Sequence, residues 1–245
     1  LIKLPPLNIE RDEWQEVRLL EEARKYIEDD NKKRVSGIHA SDLLDPRLSY
    51  FQTISPQPSS ERQIYFYLIG KILHHFVLEV INPEIEKTAT DHGTKKELGI
   101  LYSPDEIDKA GYPVELKTNR ANFEPTLDNF QSEYSHYLEQ LAVYMICENV
   151  MTGFLWLLYL NLKDESRRTF PAFRCYKVEM TAEQFKEVEQ NIIANRDQLK
   201  KAIEERNHRL LPLCRQWKCG TSCIRWSDCQ PEHRWPATNK KSWTH

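Results

Sequence analysis

Glycine is scarce in this chain, with seven residues among 245, and methionine is scarcer still, with three. Too little glycine for a Gly-X-Y repeat excludes a collagen-like protein. No internal repeat and no low-complexity tract is found, so repeat arrays and wholly disordered chains are excluded as well. Long apolar runs are missing too. The longest, Phe154 to Leu160, is strand-sized and far below the about 20 residues that a spanning helix needs. The opening Leu-Ile-Lys-Leu-Pro-Pro has neither the charged start nor the long apolar centre of a secretory leader. The expectation is an intracellular, cytoplasmic protein with no membrane partner. Hydrophobic residues make up 40% of the chain, a lean fraction that this length can still turn into a core.

Neither sign of charge dominates, since the formal net charge is -3. That figure is a sum of opposites. Residues 206–245 carry eight Lys or Arg against Asp228 and Glu232, a net of +6, which leaves -9 for residues 1–205. Four of the six tryptophans, Trp217, Trp226, Trp235 and Trp243, fall in the same basic tail. Basic groups interleaved with aromatic rings suit phosphate attraction and base stacking. The same indoles could equally cover a metal site in a segment short of aliphatic residues.

The order of elements reads as α/β. A charged helix is expected from Glu10 to about Asp29, and a short one within Ser41 to Gln52 that Pro46 confines to its later part. Ser60-x-x-Gln63 is a capping box that opens an apolar helix to about Val80. Two strands follow, Leu98 to Ile107 and Tyr112 to Thr118, around the turn Asp108-Lys109-Ala110-Gly111. A loop from Asn122 to Phe130 leads to a helix from Ser132 to about Glu148. Strands at Phe154 to Leu162 and Ala172 to Glu179 come next, then a helix from the Thr181-x-x-Gln184 box to about Arg206. Cys147 and Cys175 on these elements read as buried structural thiols.

The hairpin is the most informative segment. Residues two apart on a strand share a face, so Glu115 and Lys117 point one way while Val114 and Leu116 point into a core. Asp105 on the preceding strand comes about level with residues 114–115. Two carboxylates and a lysine at the end of a hairpin can hold a hard divalent cation such as Mg²⁺. They can also be an ordinary solvated face. Two further signals accompany the hairpin: Gly70 and the His74-His75 pair within an apolar helix, and Gln140-x-x-x-Tyr144, which shares one helix face with His136.

Taken in order, Gly70-x-x-x-His74, Pro104-Asp105, Glu115-Leu116-Lys117-Thr118 and Gln140-x-x-x-Tyr144 resemble the motifs of the PD-(D/E)xK nuclease superfamily, and of its RecB-like branch. The resemblance spans roughly residues 40 to 230 and rests on motif order, since no motif is specific alone. It implies a restriction-endonuclease-like α/β core, a central mixed sheet flanked by helices. It implies His74, Asp105, Glu115 and the Leu116 backbone carbonyl as Mg²⁺ or Mn²⁺ ligands, and Asp105, Glu115 and Lys117 as the catalytic set. Gln140 and Tyr144 would organise the site and contact DNA. Asp108 competes with Asp105 as a ligand, but its turn position and the Pro-Asp match favour Asp105. His75 is the lesser candidate of the two histidines. The implied activity is a metal-dependent DNA exonuclease acting on single strands or ends. A phage-type duplex-end exonuclease and a non-catalytic DNA-binding or adaptor subunit are the alternatives.

The tail adds Cys214, Cys219, Cys223 and Cys229, spaced C-x4-C-x3-C-x5-C. Four clustered thiols without secretory context suggest an iron–sulfur cluster or Zn²⁺ rather than disulfides. The last three resemble the C-terminal cysteines of the CRISPR-associated iron–sulfur exonucleases, with one extra residue in the first gap. Those proteins carry a further Cys upstream, where this chain has Asp45, so Cys214 would complete the set locally. Trp217 and Trp226 are candidate DNA contacts, and CRISPR or recombination proteins are candidate partners. The expected division is an N-terminal helical segment (1–40), a nuclease core (41–210) and a Cys- and Trp-rich basic tail (211–245).

Overall fold

Capping boxes set the starts of two of the long helices. Ser60 accepts from the Gln63 N–H while the Gln63 side chain takes the Ser60 N–H, and Thr181 and Gln184 repeat the exchange. Each satisfies two donors that a helix start leaves open. The structure, a computed structural model, describes residues 13–32, 36–77, 93–95, 98–163, 166, 168–214 and 226–229. Its helices are α1 (Glu13–Lys32), α2 (Pro46–Ile54), α3 (Glu61–His75), α4 (Leu127–Glu133), α5 (Ser135–Glu148), α6 (Ala182–Glu204) and the single turn α7 (Trp226–Cys229). Its strands are β1 (Gly93–Lys95), β2 (Ile100–Tyr102), β3 (Glu106–Ile107), β4 (Pro113–Asn119), β5 (Thr152–Lys163) and β6 (Thr169–Glu179).

The central sheet runs β3-β4-β5-β6 and is mixed: β4 and β5 are parallel, and the outer pairs are antiparallel. A parallel pair needs a crossover, and α4 with α5 supplies it. Helix α5 is the organiser. Its Leu141 and Met145 pack with Leu155, Leu157 and Tyr159 of β5. Its other side, through Val143, Tyr144, Ile146 and Cys147, joins Tyr50 and Phe51 of α2 and Ile192 and Leu199 of α6. Gly153 allows the close approach on the sheet side, because a Cβ there would sit 3.0 Å from Leu141 Cδ1 and Met145 Cγ. The helix ends at Asn149, in the left-handed region at φ 57°, a conformation that Asn tolerates better than most residues.

Several expectations change. The stretch from Leu98 to Ile107 is two strands, not one: β2 pairs with β1 in a separate small sheet, and β3 joins the central sheet. Pro104 falls in the break, where a missing N–H would interrupt a ladder. The helix expected from Ser132 is likewise two, meeting at Tyr134, and α4 begins five residues earlier, at Leu127. Cys147 is buried as expected, but Cys175 is exposed, since β6 lies at the sheet edge. Among the described residues no helix is long and apolar enough to cross a membrane.

Candidate active site

The hairpin that holds the candidate carboxylates is built by Asp108. Its Oδ1 accepts from the N–H groups of Ala110 (2.9 Å) and Tyr112 (2.8 Å), and Gly111 takes φ 85° to close the turn. Asp108 is therefore committed to the turn, as its position in the sequence suggested. The β3–β4 register pairs Glu106 with Val114, so Asp105 falls opposite Glu115. Asp105 Oδ2 accepts from the Leu116 N–H at 2.6 Å, and its Oδ1 meets His74 Nε2 of α3 at 2.9 Å. Lys117 reaches back to Glu115 Oε1.

Glu115 and Lys117 share a face, but that face is not solvated. Glu115 is 0% exposed, and Val114 and Leu116 on the other face are buried too. The reason is topological: β4 is an inner strand with paired edges, and both α5 and α3 pack against it. Apart from the Lys117 ammonium, neither Glu115 oxygen has a hydrogen-bond partner among the described residues.

These groups set one another's charge. Burial and then the Asp105 carboxylate push Glu115 up to about 8, with Lys117 pulling the other way. Burial would raise Asp105, but the His74 hydrogen bond, the Lys117 charge and the Leu116 N–H together hold it below the ordinary carboxylate range. Burial alone would lower Lys117, and Glu115 and Asp105 outweigh it, so the ammonium persists. The arrangement is one firmly ionised carboxylate, one firm cation and one carboxylate that is costly to ionise.

Asp105 and Lys117 border a cleft of about 460 Å³ between α3 and the β3–β4 hairpin, lined also by His74, Gly70, Lys71 and Thr118, while Glu115 is buried beside Lys117 and does not line it. Gln140 and Tyr144 stand behind it. Gln140 Nε2 donates to Tyr144 Oη at 2.8 Å. Burial first, then Glu115 and Asp105, raise the Tyr144 phenol well above its ordinary value, so it lies within the field of both carboxylates. Tyr144 is 4% exposed, which leaves a strand little of it to touch. His136 turns to Tyr137, ring against ring at 3.9 Å. His75 is exposed, one step round the helix from His74.

A divalent cation can be tested against these residues. Among the described residues no three His, Cys, Asp or Glu side chains stand ready as a ligand set: His74 holds Asp105, and Glu115 faces Lys117. The donor chemistry nonetheless fits a hard cation, with two carboxylates and an imidazole at one cleft. The buried Glu115 carboxylate, short of donors, is what such an ion would satisfy.

The second candidate centre is described only in part. Cys219, Cys223 and Trp217 lie outside the described residues, as does the Trp226 side chain. Cys229 is buried in one cluster with Leu43, Tyr50, Phe51 and Leu211. Cys214 is half-buried. Asp45 is buried at the start of α2, and the neighbouring Arg47 donates from Nε to the Leu211 carbonyl at 3.2 Å. The segment around Asp45 and the beginning of the tail are therefore tied together.

Sequence reading missed the rings and cation on the cleft wall, Phe66, Tyr67 and Lys71, and the two cations of the hollow beside it, Arg62 and Arg120. The spacing of Arg62 and Phe66, four apart on α3, was the one available signal.

No family model matches the chain, and no curated protein matches it. Among solved structures it is similar to a phage-related exonuclease from Haemophilus somnus 129PT, at 12% identity over 72% of this chain and 99% of that one, with a TM-score of 0.48. It is also similar to an alkaline exonuclease, LHK-Exo, from Laribacter hongkongensis, at 16% identity over 76% and 95% of the two chains, with a TM-score of 0.38. LHK-Exo in complex with dAMP gives 17% identity over 69% and 90%, with a TM-score of 0.35.

Proposed function

We propose that the chain is a metal-dependent deoxyribonuclease with a restriction-endonuclease-like core, hydrolysing phosphodiester bonds of single strands or DNA ends. One observation carries the reading. Asp105, Lys117 and His74 line one cleft, and the Glu115 carboxylate is fully buried beside that lysine. A structural ion pair in that place would be satisfied by further donors. This one is not, which suits a site that takes a charged guest.

In this reading His74, Asp105, Glu115 and the Leu116 carbonyl would hold Mg²⁺ or Mn²⁺. The chemistry such a cation supplies is an acidified water and relief of charge on a phosphoryl oxygen. The chain's own part is electrostatic. Lys117, held protonated by two carboxylates, offers its ammonium to a phosphoryl oxygen as charge builds there. The hydrogen bonds from His74 and the Leu116 N–H keep Asp105 ionised and fix its orientation. Tyr144 and Gln140 hold the back of the site in shape.

The tail cysteines, Cys214, Cys219, Cys223 and Cys229, would hold an iron–sulfur cluster, with Zn²⁺ as the alternative. A brown protein with bound iron supports the cluster, and a colourless one with a single zinc removes it. For the nuclease itself, Asp105→Asn and Lys117→Met should each abolish Mg²⁺- or Mn²⁺-dependent degradation of end-labelled DNA while the far-UV CD spectrum is unchanged. Undiminished cleavage by both variants would overturn the assignment and leave a non-catalytic DNA-binding subunit as the better reading. Circular, linear and single-stranded substrates in the same assay separate end-dependent from internal cleavage.

A further inference from the structure

The cleft opens onto the outer face of α3. Phe66 lines the cleft and also a shallower hollow of about 470 Å³, bounded by Arg62, Tyr65, Ile69 and Arg120, with Glu61 at its rim. Two guanidiniums are gathered on that one ring. The Arg120 Cζ lies 4.1 Å from the Phe66 centroid and the Arg62 Cζ 5.3 Å from it. Arg62 comes from the first turn of α3, and Arg120 directly follows β4, the strand that carries Glu115 and Lys117. Both walls of the cleft thus send one arginine to the same place.

Nothing in the fold requires this. Phe66 is 39% exposed, and exposed cation–π contacts are worth only about 0.5–1 kcal/mol each, against the repulsion of two like charges. Some other cations on this protein have a carboxylate partner: Arg174 has Glu124, Arg196 has Asp197 and Lys177 has Glu179. Among the described residues neither Arg62 nor Arg120 has an ion-pair partner. Two planar forks, held by a ring and without carboxylates, match the oxygens of a phosphodiester backbone.

We propose that Arg62 and Arg120, ordered on Phe66, form a phosphate clamp that grips a single DNA strand beside the bond lying in the cleft. The proposal rests on the nuclease reading for the identity of its guest. The hollow is shallow, and the Tyr65 ring stands exposed next to it, so an unpaired strand with a free base face suits it better than a closed duplex. Lys71, its ammonium 5.5 Å from the Tyr67 centroid, continues the positive lining into the cleft.

The test measures binding apart from cleavage. Full-length protein carrying Asp105→Asn is titrated onto a fluorescein-labelled single strand at several salt concentrations, with and without Arg62→Gln/Arg120→Gln. The clamp predicts binding about tenfold weaker at 0.1 M salt and a slope of log K against log salt shallower by about 1 to 1.5, two phosphate contacts' worth. Lys186→Gln/Lys200→Gln, which removes two charges from α6, should leave the slope unchanged. Phe66→Leu keeps both charges but removes the ring that orders them, and should fall between. Equal affinity and slope for the double variant and its parent would overturn the clamp, whatever the cleavage assay shows. Strand binding that depends on Arg62 and Arg120 in a protein whose unmodified form cleaves no DNA would instead remove the nuclease reading and leave the clamp standing. Failure of the parent to bind any strand would remove both.

Discussion

Strand β4 carries a polar side chain near each end, Asn119 half-buried and Glu115 fully buried, and the two are finished differently. At the Asn119 end every partner is accounted for. Asn119 Nδ2 donates to Tyr134 Oη at 2.8 Å, its Oδ1 accepts from the Ala121 N–H at 2.7 Å, and Tyr134 shares a 2.6 Å hydrogen bond with Tyr159. Close by, Tyr176 and Arg174 both donate to the Glu124 carboxylate. Four residues earlier, Glu115 lies deeper, at 0% exposed, with one lysine for company. A satisfied network fixes a fold, and an unsatisfied one is retained at a cost to stability. The contrast separates the end of β4 that holds the protein together from the end that is open to chemistry.

The sharpest way to break this comparison is to neutralise Glu115. Glu115→Gln keeps the shape, and activity should fall at least about 100-fold, the scale of a lost electrostatic contact at a reacting centre. The thermal midpoint should stay level or rise, because a buried carboxyl that resists ionisation is replaced by a neutral amide. A midpoint lowered by several degrees with activity retained would mean that Glu115 is structural and the comparison wrong. At the finished end the signs reverse. Tyr159→Phe leaves the Tyr134 hydroxyl with one partner fewer in a fully buried place and should cost about 1–3 kcal/mol by urea unfolding. The specific activity of the folded fraction should not move.

Glu106 offers a third, smaller test, since it is 3% exposed on β3 and its Oε2 has no partner among the described residues. Burial, with the Asp108 charge added, pushes it up to about 7 from an ordinary 4.5. The folded state therefore holds its proton where the unfolded chain has lost it. The resulting stability is full below about pH 4.5 and is lost as pH rises through 7. Glu106→Gln should be neutral near pH 4 and stabilising by about 2 kcal/mol at pH 8, less than the shift alone would give because solvent screening discounts it. Urea melts at the two pH values check it. An equal effect at both would show that hydrogen bonding, not charge, sets the cost at Glu106.

Most of the fold was legible because local signals and tertiary structure agree. Both capping boxes start helices where the pattern Ser/Thr-x-x-Gln stands, and the Asp108 turn closes the hairpin. What failed to read were breaks inside continuous patterns. Pro104 marked one of them, whereas nothing in the apolar spacing around Tyr134 distinguishes two short helices from one. Strand direction was not legible at all, since alternation says nothing of whether β4 pairs parallel or antiparallel. That is why Glu115 read as a member of an outward face. Its burial comes from β5 on one side and α5 above, elements that begin 37 and 20 positions later in the chain. The candidate ligands His74, Asp105 and Glu115 were singled out by motif order, but the arginines on Phe66 were not. Arg62 and Arg120 are 58 positions apart and meet only in three dimensions.

The smallest effect is expected at Gly70, and it bears on both ends of the comparison. Glycine within a helix is costly, by about 1 kcal/mol relative to alanine, so its presence in the middle of α3 calls for a reason. Close packing within the protein is not that reason, because a Cβ at Gly70 would meet nothing within 4 Å. The open space is the cleft, whose wall Gly70 forms one turn before His74. Gly70→Ala should therefore raise stability by about 0.4–1 kcal/mol, seen as a higher urea midpoint with unchanged slope. If the bare backbone leaves room for a guest, the same methyl should weaken binding of a single strand to the Asp105→Asn protein severalfold, and Gly70→Leu should weaken it more. A stabilised Gly70→Ala protein with undiminished strand binding would show that this wall of the cleft is not where the strand runs, and would move the path toward Lys117 and Thr118 on the opposite side.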